Sequence, residues 1–153
     1  MQRLNFPFPP QRVRSVEGVQ QVFDEIRKKW VVLTPEEWVR QHLIEFLIQD
    51  RHCPPGLISV EKGLEYNGMK RRYDVVVFDR NAKPVMLAEC KAPEIKVTEE
   101  VFDQAARYNM TLQVPYLMIT NGVQHFCCRI DWEERSYAFL KEIPHFDEMI
   151  GRE

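Results

Sequence analysis

Two segments of this chain, residues 72–78 (RYDVVVF) and 114–120 (VPYLMIT), are apolar almost without interruption. A strand with one wet face alternates polar and apolar residues; a strand covered on both faces does not have to. Both segments therefore belong inside a sheet packed on either side, which implies an α/β class protein, a central mixed sheet flanked by helices in an α/β/α sandwich. Two stretches can supply the helices. Thr34 is an N-cap hydroxyl, Pro35 fits the first helical position and Glu37 the third, a capping box. The helix runs through EEWVRQHLIEFLIQD with Val39, Leu43, Phe46 and Leu47 on its core stripe, and stops before Pro54, Pro55 and Gly56. Thr98 caps a second helix, EEVFDQAARYNM.

The remaining segments fit one domain over residues 1–153. Residues 56–66 read as a strand closed by Asn67 and Gly68. Residues 84–89 (PVMLAE) pair with 72–78 across 79–83. Asn121 and Gly122 turn 114–120 back into 124–130, and 136–140 is a last strand. Residues 1–16, with Pro7, Pro9 and Pro10, form an extended arm whose Phe6 and Phe8 pack on the domain. Residues 18–32 suit either a helix through Val19, Val22 and Ile26 or short edge strands. Pro144 ends the core, leaving a tail at 145–153.

Composition narrows the function. With 44% hydrophobic and 29% charged residues the chain folds as a soluble globule. Neither a membrane-spanning run nor a secretory leader is visible, so the expected location is cytoplasmic. The four cysteines lack paired metal-site spacing and read as free buried thiols; His52 beside Cys53 is too little for a zinc site. A net charge of −2 argues against an autonomous, tight nucleic-acid binder. The basic groups are local, at residues 27–29 and 70–72, and are either phosphate contacts or solvated faces.

The chemistry gathers at the hairpin of 72–78 and 84–89. If it turns symmetrically about Asn81 and Ala82, Asp74 lies opposite Glu89. Opposed residues hold their Cβ atoms about 4.5–5.5 Å apart. Lys91, two residues further, shares the face of Glu89. Two neighbouring carboxylates are costly unless a cation neutralises them. Plainer readings exist: Asp74 paired with Arg71 or Arg72, Glu89 and Lys91 as a surface pair, and Tyr108 as helix core.

An aspartate, a hairpin and then Glu89-Cys90-Lys91 resembles the PD-(D/E)XK nucleases. Gln104 and Tyr108, in QAARY, are similar to the Gln-x-x-x-Tyr motif of type I restriction-enzyme R subunits. The helix LTPEEWVRQHLIEFL looks like the acidic helix opening their N-terminal nuclease domain. The likeness spans residues 27–129; Tyr73 replaces the proline before Asp74. It implies a restriction-endonuclease-like fold and a metal-dependent endonuclease hydrolysing DNA phosphodiesters. Asp74, Glu89 and the main-chain carbonyl of Cys90 would hold Mg²⁺, with Mn²⁺ able to substitute. Lys91 would orient or deprotonate water. Glu36, with Glu37 nearly as good, would be the helix acid, and Arg40 follows one turn on. Gln104 and Tyr108 would position phosphate or brace Lys91, while Lys70, Arg71, Arg72 and Arg107 would contact nucleic acid. The family's R subunits carry an ATP-driven translocase, so a helicase or another restriction subunit is an expected partner besides DNA; the chain itself has no Gly-x-x-x-x-Gly-Lys-Ser/Thr motif. A non-catalytic or partner-dependent binding module is the alternative, and a non-nuclease metal phosphohydrolase a weaker third.

Overall fold

The computed structural model describes residues 2–66 and 68–152. In chain order the elements are β1 (Val13–Val16), β2 (Val19–Asp24), β3 (Lys29–Val32), α1 (Pro35–Gln49), β4 (Ile58–Tyr66), β5 (Met69–Phe78), β6 (Pro84–Cys90), α2 (Glu99–Met110), β7 (Tyr116–Thr120), β8 (His125–Asp131), β9 (Ser136–Phe139) and α3 (Phe146–Met149). Strands β4 to β9 form one sheet in sequence order. All its neighbours are antiparallel except β6 and β7. That parallel step needs a crossover, which α2 provides.

The apolar segments are continuous because both faces are covered. Val75, Val77, Met86, Ala88 and Met118 pack with Val39, Leu43, Ile44 and Leu47 of α1. Val76, Leu87, Leu117 and Ile119 pack with Phe102, Ala105, Ala106 and Met110 of α2. The expected mixed sheet between helices is what the chain builds.

The ambiguous residues 18–32 are strands, not helix. Val16 pairs with Val19 across Glu17 (φ 50°) and Gly18 (φ 80°). Positive φ at both central positions is the two-residue hairpin turn that follows strand twist. The first hairpin begins at Val13, so β1 occupies the last part of the stretch read as an extended arm. The arm proper is tied down. Leu4 and Phe6 are buried against α1, the Asn5 amide donates to the Gly122 carbonyl at 2.7 Å, and Trp38 Nε1 donates to the Gln2 carbonyl at 2.7 Å.

Gly122 has φ +87°, and a Cβ there would lie 2.9 Å from both Leu4 Cδ atoms and 3.1 Å from Val39 Cγ2. The backbone favours glycine, while the end of the Leu4 side chain would have to give way to a Cβ. Gly122→Ala is expected to destabilise the fold by about 1–2 kcal/mol, read as a lower urea midpoint at unchanged m-value.

Three further expectations are corrected. Pro144 does not end the core: Phe146 and Met149 are buried, and α3 is anchored through the Phe146 amide on the Arg51 carbonyl at 2.9 Å. The capping box is half-formed. Thr34 Oγ1 accepts the Glu37 amide at 3.0 Å, but the Glu37 carboxylate turns to arginines instead of back to the cap. β5 also starts earlier than expected, at Met69. Of the turn read at residues 67 and 68, Asn67 lies outside the described residues.

Candidate functional site

The β5–β6 ladder pairs Val75 with Ala88, Val76 with Leu87 and Val77 with Met86. That is the symmetric register inferred from the hairpin, and Asp74 and Glu89 lie one residue beyond the last of these pairs. The two side chains nevertheless find different partners, because β4 and β5 turn over at this level. Tyr73 packs on the α2 side and Val75 on the α1 side, so the usual alternation breaks at Asp74. On β4 the same break separates Val60 from Leu64. The ladder joins Val60 to Val75 and Lys62 to Tyr73, and the residue between, Glu61, has φ 55°. A positive φ at a non-glycine residue is strained and is retained where the surroundings impose it.

Asp74 lies on the α1 side. Its Oδ2 accepts the Cys90 amide at 2.7 Å and its Oδ1 accepts from Arg40 Nη1 at 3.2 Å. Burial raises its pKa, against the Cys90 hydrogen bond and the charges of Arg40 and Lys91. Lys91 is half-buried, and its amide is fixed to the Thr120 carbonyl at 2.8 Å. Its charge acts on Asp74 and Glu36 together. Glu36 is at the surface of the first turn of α1, its pKa raised by desolvation and then by Asp74. Asp74 is thus held against Cys90, the chain neighbour of Lys91, and against Arg40, one turn along α1 from Glu36.

Glu89 is not with them. Its Oε1 accepts from Arg71 Nη2, and that guanidinium lies 5.4 Å from the Tyr73 ring centroid and 5.0 Å from that of Tyr108. The ion pair considered for Asp74 is therefore made by Arg40, while Arg71 serves Glu89. Gln104 is exposed on α2 and Tyr108 half-buried. Tyr108 meets Arg71 rather than Lys91. Lys70 and Arg72 are exposed, and Arg107 Nε donates to Asp103 Oδ2 at 2.8 Å on the surface of α2. The Cys90 thiol points into the core, and all four cysteines are buried and free.

Glu36 and Glu37 separate cleanly. Glu37 is buried and takes Arg40 in a two-point pair (2.8 and 2.7 Å), Arg27 Nη2 at 2.9 Å and Gln41 Nε2 at 3.1 Å. Burial opposes its charge, yet these donors hold its pKa down at about 2. Arg27 continues to the fully buried Asp24 at 2.7 Å. Glu61 sits 3.4 Å from Arg27 and 3.5 Å from Arg40. Asp24, Arg27, Gln41 and Glu61 were not singled out by sequence reasoning. Arg27 was visible only as part of a basic run, and no local pattern marked the others.

A divalent cation such as Mg²⁺ asks for several converging oxygens. Among the described residues no group of three or more His, Cys, Asp and Glu side chains is placed to hold a metal ion. Guanidinium groups meet both acids, so the arrangement as it stands does not fit a bound ion.

The α/β/α sandwich is a fold seen also in a solved fragment. The chain has a TM-score of 0.53 and 18% identity to a fragment structure assigned as an HsdR subunit of a type I restriction enzyme from Vibrio vulnificus YJ016. The likeness covers 77% of this chain and 25% of that one, so the chain spans about a quarter of its structural relative. The family follows from sequence. Residues 35–144 match the model of the type I restriction enzyme R protein N terminus (HSDR_N), and the chain belongs to that family. The hairpin-rich segment before residue 35, which supplies Asp24 and Arg27, lies ahead of the matched region. No curated protein matches the chain. No helix among the described residues is long and apolar enough to cross a membrane.

Proposed function

We propose that this chain is a PD-(D/E)XK-type nuclease unit that hydrolyses DNA phosphodiester bonds with Mg²⁺, or Mn²⁺ in its place, working with a helicase or other restriction subunit. The observation that supports this reading is that Asp74 on β5 accepts the amide of Cys90, the residue between Glu89 and Lys91 at the end of the paired strand β6. Family membership supports it. Asp74, Glu89 and the Cys90 carbonyl would hold the metal, for which Arg40 and Arg71 would have to leave the two acids. Glu89 engages only Oε1 in the described hydrogen bonds, and a carboxylate has further lone pairs to offer.

The chain's own groups have separable tasks. Lys91, with its backbone pinned to β7, orients the attacking water and steadies charge developing on the phosphate. Glu36 accepts a hydrogen bond from that water, since Glu37 is fully engaged by Arg27 and Arg40. Exposed Gln104, Lys70, Arg72 and Arg107 hold the DNA backbone, the arginines by planar two-point contact. A partner-dependent binding module is the second reading, favoured by the guanidinium groups on both acids.

The experiment is nicking of supercoiled plasmid by the full chain. Cleavage with Mg²⁺ or Mn²⁺ that stops on chelation and in Asp74→Asn is the expected outcome. No cleavage with either metal would remove the nuclease reading and leave the binding module.

A further inference from the structure

The three-stranded sheet ahead of α1 has one face on the domain and one in solvent. Val22 and Asp24 turn inward and are fully buried. Arg14 pairs with Gln21 and Phe23 with Trp30, and alternation along the strands puts these four side chains on the other face. There the Arg12 guanidinium lies over the Phe23 ring, 3.9 Å from its centroid, and the Arg14 guanidinium over the Trp30 ring at 4.1 Å. The two rings meet edge to face at 5.4 Å, and Arg14 Nε donates to Gln21 Oε1 at 2.7 Å. Both arginines are exposed and both rings are half-buried.

A guanidinium laid on a ring keeps its N–H edge and its outer plane free. Glu25, in the β2–β3 turn, lies 3.8 Å from Arg12 and 3.8 Å from Lys28, exposed pairs of little strength. The strands themselves put no carboxylate on this face, because Asp24 points inward onto Arg27 and Gln41. The face therefore suits a polyanion. Arg12 and Arg14 are two residues apart on extended backbone, roughly 6.5 Å, close to the interval between successive phosphates of an extended single strand. A strand with unpaired bases brings flat rings as well as charge, and stacking on such a surface needs no particular sequence. Val16, Val19 and Val32, exposed on the same face, add apolar surface for sugars and base edges. A duplex hides its base faces, and an acidic protein segment supplies the charge without regularly spaced rings.

The geometry points to this face as a platform for single-stranded DNA, with bases stacked on the arginine-capped rings and phosphates at the guanidinium edges. The choice of DNA over RNA rests on the nuclease reading; the stacking does not. The platform lies before residue 35, ahead of the residues matched to the family, and is separate from the exposed basic groups of β5 and α2. It is nevertheless tied to the candidate site. Arg27, in the β2–β3 turn, donates to Glu37 at 2.9 Å, and Arg40 joins Glu37 to Asp74. A strand on the platform is thereby held in a fixed relation to Asp74.

The test is fluorescence polarisation of labelled oligothymidylate with the full chain, in the presence of a chelator so that binding is read without cleavage. Replacing both arginines, Arg12→Ala with Arg14→Ala, is expected to weaken oligothymidylate about tenfold, the scale of one stacked base. Duplex affinity is expected to stay unchanged. Arg12→Lys with Arg14→Lys keeps both charges but loses the planes, and a roughly fivefold weakening is expected. Full affinity in either pair would overturn the inference, as would an equal loss for duplex. Displacement of the label by polyglutamate as readily as by unlabelled oligothymidylate would assign the face to an acidic protein segment and overturn it too. Binding of oligouridylate without binding of oligothymidylate would overturn the choice of DNA. Should circular dichroism show the alanine pair unfolded, the lysine pair carries the test. Plasmid nicking keeps the two readings apart. Nicking by a chain whose alanine pair binds oligothymidylate like wild type removes the platform alone, and platform binding without nicking removes the nuclease reading alone.

Discussion

Lys91→Ala is expected to lower metal-dependent DNA cleavage by about 10²–10⁴-fold, the range typical of a positioned acid–base group. Its surroundings make the loss one of chemistry and not of folding. The lysine backbone is fixed by the Thr120 carbonyl, which alanine preserves, and the side chain is half-buried rather than part of the core. Its charge lowers the pKa of both Asp74 and Glu36, so its removal also makes those acids easier to protonate. Urea denaturation should therefore place the variant within about 0.5 kcal/mol of wild type, while the cleavage rate falls. The pH–rate profile should move its acidic limb upward. A matching loss of stability and activity would assign Lys91 a structural part instead.

The second large effect belongs to Glu37. It is the buried anion between Arg27 and Arg40, and Gln41 completes its shell. Glu37→Gln removes the anion that Arg27 and Arg40 share, leaving Arg27 on Asp24 and Arg40 on Asp74, and a loss of about 1.5–3 kcal/mol, the scale of a hydrogen bond to a charged group, is expected. The same group gives wild type a pH signature. The folded pKa near 2 lies below the ordinary value of 4.5, so its contribution is complete above pH 4.5. It is lost progressively as pH falls toward 2, by about 3 kcal/mol in all. Denaturation series between pH 7 and pH 3 should show this decline in wild type and a flatter profile in Glu37→Gln. A variant as stable as wild type at neutral pH would contradict the network's structural weight.

Much of the scaffold was legible because its signals are local or periodic. Uninterrupted apolar strands required two covered faces, Thr34 and Thr98 marked helix starts, and hairpin symmetry fixed the β5–β6 register. Partner choice around the acids was not legible. Opposed residues on paired strands normally share a face, and that rule set Asp74 beside Glu89. The rule fails where β4 and β5 turn over, and the cause, a positive φ at Glu61, has no signature in a glutamate. The buried chain from Asp24 through Arg27 to Glu37 joins residues far apart in sequence, and such pairs show no periodicity. The β1–β2 turn was hidden as well, because Glu17 occupies a position more often taken by asparagine or glycine. Residues 18–32 also carry Val19, Val22 and Ile26 at helical spacing, which competed with the strand reading.

The account turns on whether two acids, each now satisfied by an arginine, can converge on one ion when substrate is present. Anomalous diffraction from crystals grown with Mn²⁺ and a phosphorothioate duplex addresses this directly. The expected result is a manganese peak touching both Asp74 and Glu89. Empty density between the two carboxylates at saturating Mn²⁺, with Arg71 still on Glu89 and Arg40 on Asp74, would contradict it.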